Sequence, residues 1–512
     1  MAVNADFELN LSTEVRADLR VALNHHREGR LEEAVGIYQS VVERFPNHAE
    51  TLLGLGAALI GLGRNVEAIK PLEAALLIRP SHPDTCFALA EAYRAKGQIE
   101  RAFKIGLLGL EGNPDYLQGH LAVIDALLDM ERHEEARPML EKLLARYPKN
   151  MTVTAKMGAF HFHSGEFEEA EQKLAVAAKA LPDDPEVHWL LTCLCLGYRR
   201  WEKGWPRYRW RWPMSKRVSP EALFDISNWN GEGLIGKKIL VWGEQGLGDE
   251  LMFATCLPDL LDKVRPDLCV LVCDPRLETV FNRSFPKILT LPMDRQKSQD
   301  IILKIPACEY QIASGDIPKF LRLSDADFPQ AERWLVPDPL AAKKWQQRLN
   351  ALGAGLKVGV AWRGGTLERF KRAKSSHLSH WADILSLPGV QFVNLQYGDC
   401  RDDLEAMEAS GIKIHNFEDL DPVIKPDEQM ALIAGLDLVI QTSNASAHMA
   451  GMLGVPIWNL LPYVADWRWG LRTETCLWYP SMRLFRQPNL GDWGAVFDRV
   501  ASALRELISQ KK

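Results

Sequence analysis

The sequence predicts an α-helical repeat solenoid followed by two doubly wound α/β halves that face each other across a cleft. Three observations carry this. Pro46, Pro80, Pro114, Pro148 and Pro182 recur at a fixed interval of 34 residues through the first two-fifths of the chain. Ala34, Ala68, Ala102, Ala136 and Ala170 keep the same step, as do Gly29, Gly63, Gly97 and Gly165, with Glu131 the one exception. From Lys238 onward the helical rhythm gives way to buried apolar runs that alternate with helical patterns.

A recurring proline ends a helix, a recurring glycine makes a tight turn, and a recurring alanine lets two helices approach closely. The slot ahead of the close-packing small residue is apolar throughout, as Val21, Leu55, Leu89, Val123 and Met157. On these positions the region resembles tetratricopeptide repeats. No unit of such an array buries its own apolar stripe, so neighbours stack into a curved solenoid with an extended concave wall. The resemblance implies that the first helix of each repeat lines a groove, where the matching residues are Leu19, Leu23, Leu53, Ile60, Phe87, Leu121, Leu128 and Phe162. Two readings of these residues stand side by side: inter-repeat core, or a groove for an amphipathic or extended segment of another protein.

At 512 residues the chain exceeds what one core supports, so two or three domains are expected. Its net charge of −6 argues against a nucleic-acid or anionic-membrane role. No basic-then-apolar leader opens the sequence and no apolar run is long enough to cross a bilayer, so a cytoplasmic protein without stable membrane insertion is expected. The nine cysteines are scattered, and the pair Cys193 and Cys195 lacks the partner set of a zinc site, which fits reduced, buried thiols.

Beyond Pro182 the repeat decays. The stretch 198–217, YRRWEKGWPRYRWRWPMSKR, is dense in Trp and Arg. Alone it reads as a nucleic-acid patch or a membrane-surface helix; at the end of a solenoid it reads as an atypical capping unit with packed aromatics, the reading preferred here. Residues 213–236 form the connector.

KILVWGE (238–244) is a buried strand, QGLGDE a glycine-rich turn, and LMFATCLPDLLDKV a helix, followed by the strand LCVLVCD (268–274). After a helical linker near 338–352 the pattern restarts with KVGVAW (357–362), VQFVNLQ (390–396), DLVIQT (437–442) and PIWNLL (456–461). This is the βαβ rhythm of parallel sheets, whose ligands bind at the carboxyl ends of the strands. Two turns feed that crevice. In the first, Gly246 and Gly248 allow close approach of backbone to a ligand, and Asp249 stands at a helix start, either as a functional carboxylate or as a plain helix cap. In the second, TSNASAH (442–448), small polar side chains stand where free backbone N–H groups and the helix dipole make a seat for phosphate. Ordinary capping by Ser443 or Asn444, with His448 merely packed, is the competing reading.

VWGEQGLGDELMFA, AWRGG, DLVIQTSNASAHMAGMLGVPIWNLLP, DWRWG and WYPSMRLFRQ, in this order, resemble the C-terminal half of bacterial tetratricopeptide-repeat glycosyltransferases related to the family 9 lipopolysaccharide heptosyltransferases. The likeness spans residues 201–510. It implies the two-Rossmann GT-B fold, with domains at 1–212 (solenoid and cap), 237–352 (acceptor side) and 353–512 (nucleotide-sugar side). It further implies Asp249 as general base on the acceptor hydroxyl and Lys374, upstream of His380 and Trp381, as neutraliser of the donor pyrophosphate. Ser443, Asn444, Ala445 and His448 become the diphosphate turn. Where those enzymes have Asp-Thr this chain has Ser443-Asn444, which puts the donor sugar in doubt more than phosphate binding.

The chemistry is coherent in its own terms. Glycosyl transfer needs a base for the incoming hydroxyl and cationic or dipolar stabilisation of the departing diphosphate. Asp249 supplies the first, and Arg363, Lys374 and the 443–448 turn supply the second. Arg369, Lys371 and Arg372 add a basic loop or simply a solvated surface. Asp325 and Asp327 form an Asp-x-Asp pair in a loop before the linker, and no metal or cofactor is assigned. The leading expectation is a protein O-glycosyltransferase that takes a nucleotide sugar as donor and a protein acceptor held by the repeats, with flagellin the candidate the resemblance suggests. The alternatives are a catalytically inactive adaptor or chaperone for flagellar or secreted proteins, and a transferase acting on lipid-linked sugars.

Overall fold

The computed structural model describes residues 13–215, 219–294, 304–364, 376 and 378–511. They divide into two compact units, the first running to His163 and taking in Lys179–Leu181, the second otherwise beginning at Ser164.

The first unit is built of helices α1 (Thr13–Arg27), α2 (Leu31–Arg44), α3 (Ala49–Gly61), α4 (Asn65–Ile78), α5 (Pro83–Ala95), α6 (Ile99–Gly112), α7 (Leu117–Asp129), α8 (His133–Arg146) and α9 (Met151–His163). The 34-residue period has a residue-level cause. The residue before each recurring proline is pushed out of helical geometry by the ring, as Phe45, Arg79, Asn113 and Tyr147 are, and one helix stops there. Two residues after the proline stands the next N-cap. His48 and His82 accept from the backbone N–H groups of Thr51 and Thr85, and Asn150 from Val153.

Within each helical pair the alanines are the contact points: Ala34, Ala68 and Ala136 are fully buried and Ala102 is 1% exposed. A side chain larger than methyl there would separate the helices. The turn joining each pair is left-handed. Gly29, Gly63 and Gly97 have φ of 77°, 75° and 83°, and Glu131 takes the same conformation at 60° without the glycine.

The second unit opens with α10 (Phe167–Ala180) and α11 (Pro185–Gly197). The left-handed slot recurs at Gly165 and again at Arg199, where φ is 58°, so the turn geometry outlasts the sequence repeat by one unit. The Trp- and Arg-rich stretch that follows is packed: Trp201, Trp205 and Tyr208 are buried. Their rings meet Trp467, Trp478, Phe253 and Phe328 edge-on or tilted at centroid distances of 4.9 to 6.4 Å.

Two parallel sheets follow. The first comprises β1 (Ser227–Asn228), β2 (Lys238–Trp242), β3 (Leu268–Cys273), β4 (Ile288–Pro292) and β5 (Tyr310–Ala313), in the order β1-β5-β2-β3-β4. The second comprises β6 (Leu356–Ala361), β7 (Val390–Asn394), β8 (Ile414–His415), β9 (Leu438–Thr442), β10 (Ile457–Leu461) and β11 (Met482–Arg486), in the order β11-β10-β9-β6-β7-β8. The central strands are apolar runs covered on both faces, as parallel strands must be. Strand order reverses between β2 and β5 in one sheet and between β6 and β9 in the other. These are the topological switch points where such sheets open a crevice. The halves are tied together by the Arg283–Asp427 ion pair and by the backbone N–H groups of Trp334 and Leu335, which donate to the Met452 carbonyl. The α-solenoid followed by two Rossmann-like halves is the architecture the sequence predicts.

Candidate functional site

The residues following β2 and β9, one from each switch point, meet. After β2 the chain turns through Gly243 to Gly248 into the helix Leu247–Ala254. Gly246 is the N-cap and has no side chain to offer, so Asp249 does not cap this helix. One carboxylate oxygen of Asp249 accepts instead from Arg468 of the loop after β10. The other, Oδ2, lies toward Gly246, and the side chain keeps one-fifth of its exposure.

Arg468 is a hub. It also pairs with Asp466 at 2.7 Å, donates to Gln245 Oε1 at 3.2 Å, and lies over the Trp467 ring. Burial works against its charge, but the carboxylates of Asp249 and Asp466 outweigh it and hold the guanidinium pKa well above its usual value. Arg486 of β11 fixes the same loop from behind by donating to the carbonyls of Trp469 and Gly470.

After β9 the turn enters the helix Ala445–Met452. Asn444 caps it by accepting from Ser446 N–H at 2.9 Å and reaches across the switch point to donate to the Arg363 carbonyl at 3.3 Å. Ser443 is buried and accepts from the indole of Trp469 at 2.8 Å. His448 is buried too, with Nδ1 2.9 Å from the Tyr479 hydroxyl. The two turns touch through it, because a Cβ placed on Gly248 would stand 2.9 Å from His448 Cδ2. Gly248 is small, then, because an imidazole packs on it.

Around this junction the backbone is pinned by side chains with no motif signature. Gln396 Oε1 accepts from both Trp362 and Arg363 N–H, which fixes the turn after β6. Arg363 itself points to Asp403 and the Asp399 carbonyl. Glu250, nearly fully buried, accepts from Asp274 N–H and ties the first turn to the end of β3. Glu244, fully enclosed, pairs with buried Arg211 at 2.7 Å, and Arg211 also holds Asp316 bidentately. Burial raises the Glu244 pKa to about 7, helped by Asp316 and Asp249 and opposed by Arg211.

The structure thus brings together Gly246, Gly248, Asp249, Ser443, Asn444, Ala445 and His448, whereas Arg363 joins them through its backbone carbonyl and its guanidinium turns to Asp403 and the Asp399 carbonyl. Lys374 and the basic residues Arg369, Lys371 and Arg372 lie outside the described residues. Asp325 accepts from Trp201 and Arg199, and Asp327 closes a capping box with Ser324, so both are structural. Among the described residues no cluster of three or more His, Cys, Asp or Glu side chains is placed to hold a metal. Of the groove residues, Leu53, Ile60, Leu121 and Phe162 are buried, whereas Leu19, Leu23, Phe87 and Leu128 keep partial exposure. A polar seam crosses the first unit beside them: Arg94 of α5 pairs with Asp129 and Asp125 of α7, and Asp125 with Lys156 of α9. Sequence reasoning gave no role to Arg468, Gln245, Glu244 or Arg211. Arg468 lies in the DWRWG string, which carries resemblance but no motif chemistry.

Protein FlbA of Caulobacter vibrioides is 31% identical over 505 residues, covering 89% of this chain and 84% of the relative. The chain belongs to the FlbA family. The tetratricopeptide-repeat family model matches residues 25–73 and 127–192. Among solved structures, the ADP-heptose LPS heptosyltransferase II of E. coli is 16% identical, at a TM-score of 0.39, over 54% of this chain and 99% of that one. The glycosyl transferase family 9 protein of Veillonella parvula is 13% identical, at a TM-score of 0.42, over 55% of this chain and 100% of that one. No helix among the described residues of this FlbA relative is long and apolar enough to cross a membrane.

Proposed function

We propose that the chain is a metal-independent protein O-glycosyltransferase of GT-B type, moving a sugar from a nucleotide-sugar donor to Ser or Thr of a protein acceptor recruited by the repeats, with flagellin the candidate acceptor. One observation carries the reading. A carboxylate with one oxygen, Asp249 Oδ2, unengaged among the described residues, and a helix N-terminus at 444–446 stand at the facing switch points of two parallel sheets, linked through Gly248 and His448.

The proposed step follows from that placement. Asp249 takes the proton of the acceptor hydroxyl as its oxygen bonds to the anomeric carbon. The bond from that carbon to the donor phosphate breaks, and the nucleoside diphosphate leaves with the electron pair. The N–H groups and dipole of the helix Ala445–Met452 stabilise the charge that develops on it. Arg468 holds and orients Asp249 through one oxygen while the other faces the acceptor.

A second reading has its own support. Asn444 already occupies Ser446 N–H, and Arg468 already occupies Asp249, which is what an inactive, self-satisfied adaptor would show. Intact-mass spectrometry of the acceptor from cells with the wild-type gene, without it, and with Asp249→Ala decides between them. The enzyme reading expects a hexose-sized or larger mass loss in both altered strains. An acceptor of unchanged mass in Asp249→Ala cells, with the cellular role intact, supports the adaptor.

A further inference from the structure

The turn that carries Asp249 is held in an unfavourable shape by a segment outside both sheets. Gln245 has φ of 63°, a left-handed conformation that non-glycine residues rarely adopt and that persists only where surroundings enforce it. The enforcing contacts are specific. Gln245 Nε2 donates to the Tyr208 hydroxyl at 3.0 Å, and Gln245 Oε1 accepts from Arg468, the guanidinium that also holds Asp249. One residue earlier, Glu244 is gripped by Arg211 at 2.7 Å, with both side chains 3% exposed or less. Tyr208 and Arg211 both belong to the 205–215 stretch that follows the repeat array. Tyr208 is itself immobilised, fully buried against Trp205, Phe253 and Trp467.

We infer that this capping stretch is part of the reaction site: Tyr208, acting through Gln245 and Arg468, is a positioning residue that sets where the Asp249 carboxylate stands. The inference rests on the reading of Asp249 as the base, and it adds a direction of dependence. The two α/β halves contain the reacting groups, but the geometry of the first turn is imposed from the end of the solenoid. A chain of three polar contacts, Tyr208 to Gln245 to Arg468 to Asp249, connects a rigid aromatic cage to the carboxylate. Each link is a hydrogen bond or ion pair that one substitution removes without touching a substrate-facing atom.

The test uses the full chain and the variants Tyr208→Phe, Gln245→Ala and the double variant. Phenylalanine keeps the ring in its cage and deletes only the hydroxyl that receives Gln245. In turnover assays with donor and acceptor, each single variant is expected to lose about tenfold in kcat with the donor KM unchanged. The double variant should be no slower than Gln245→Ala alone, because both act through one path. Losses that multiply, or a change confined to KM, would overturn the inference. A second readout is independent of activity: amide hydrogen exchange across 243–252 should accelerate in Tyr208→Phe relative to wild type, while exchange in β6 and β9 stays as it was. Unaltered exchange at 243–252 sinks the inference even if the protein turns out to catalyse nothing. A wild-type protein that fails to turn over donor, with exchange behaving as stated, counts against the transferase reading alone.

Discussion

The turn after β2 and the turn after β9 occupy equivalent places in their sheets, each leading from a central strand into an eight-residue helix. Their chemistry differs at every position that faces the junction. The first has a bare glycine N-cap, a left-handed Gln245 and a carboxylate held from outside by Arg468. The second has a side-chain cap, no charged residue within the turn, and hydroxyl and imidazole groups satisfied by Trp469 and Tyr479. One topology therefore yields a carboxylate at one turn and a capped helix N-terminus at the other. The difference comes from which distant residues arrive to complete each turn.

Removing the charge from the first wall is the most severe way to break this contrast. Asp249→Ala should lower turnover by about 10²- to 10⁴-fold, with nucleoside diphosphate affinity by calorimetry unchanged because the seat belongs to the other turn. Equal loss of binding would mean that the walls do not divide the work. Arg468→Ala comes next, since it strands two carboxylates together. Thermal or urea unfolding should show a loss of about 2 to 3 kcal/mol, at the lower end because the side chains keep some exposure. Gly248→Ala forces His448 away from the first turn and should cost roughly 1–3 kcal/mol by the same measurement. An alanine there without penalty would mean that the imidazole is not seated on the glycine.

How much of this was legible beforehand differs by element. The strands β2, β3, β6, β9 and β10 are visible as largely apolar runs because both faces are covered, and β7, half-buried at three of its five positions, is visible through Val390, Phe392 and Val393. Short edge strands such as β1 and β8 have two residues each and no pattern to read. Asp249 and the Ser443-Asn444 turn are legible because they directly follow strands. Arg468, Gln245 and Arg211 are not, because the contacts that tie them to the site, Arg211 to Glu244 and Arg468 to Gln245, span 33 and 223 residues and each looks locally like any polar residue. Gly246 and Gly248 share a motif but not a reason: the first caps a helix, and the second makes room for an imidazole.

The pH dependence of stability sharpens the charge asymmetry further. Glu244 holds its proton to about 7 in the folded chain against an ordinary value of 4.5. Between those values the folded state binds more protons than the unfolded one, so this group's stabilising contribution falls as pH rises through the window. Chemical denaturation from pH 4 to 8 should therefore show a steeper decline for wild type than for Glu244→Gln. Matching slopes would place the proton elsewhere. The smallest effect is expected far from the junction. Gly63 has open space around its Cβ position, so Gly63→Ala meets only the left-handed backbone and should destabilise the first unit by about 1 kcal/mol. Glu131 bears the same conformation natively in the equivalent slot.

The most direct test of the central claim is a crystal structure of the full chain with a nucleoside diphosphate bound. Phosphate oxygens at the backbone N–H groups of 444–447, with Asp249 Oδ2 across a space the width of one sugar ring, would match the account. A diphosphate seated anywhere else, or an Asp249 carboxylate turned away from it, would contradict it.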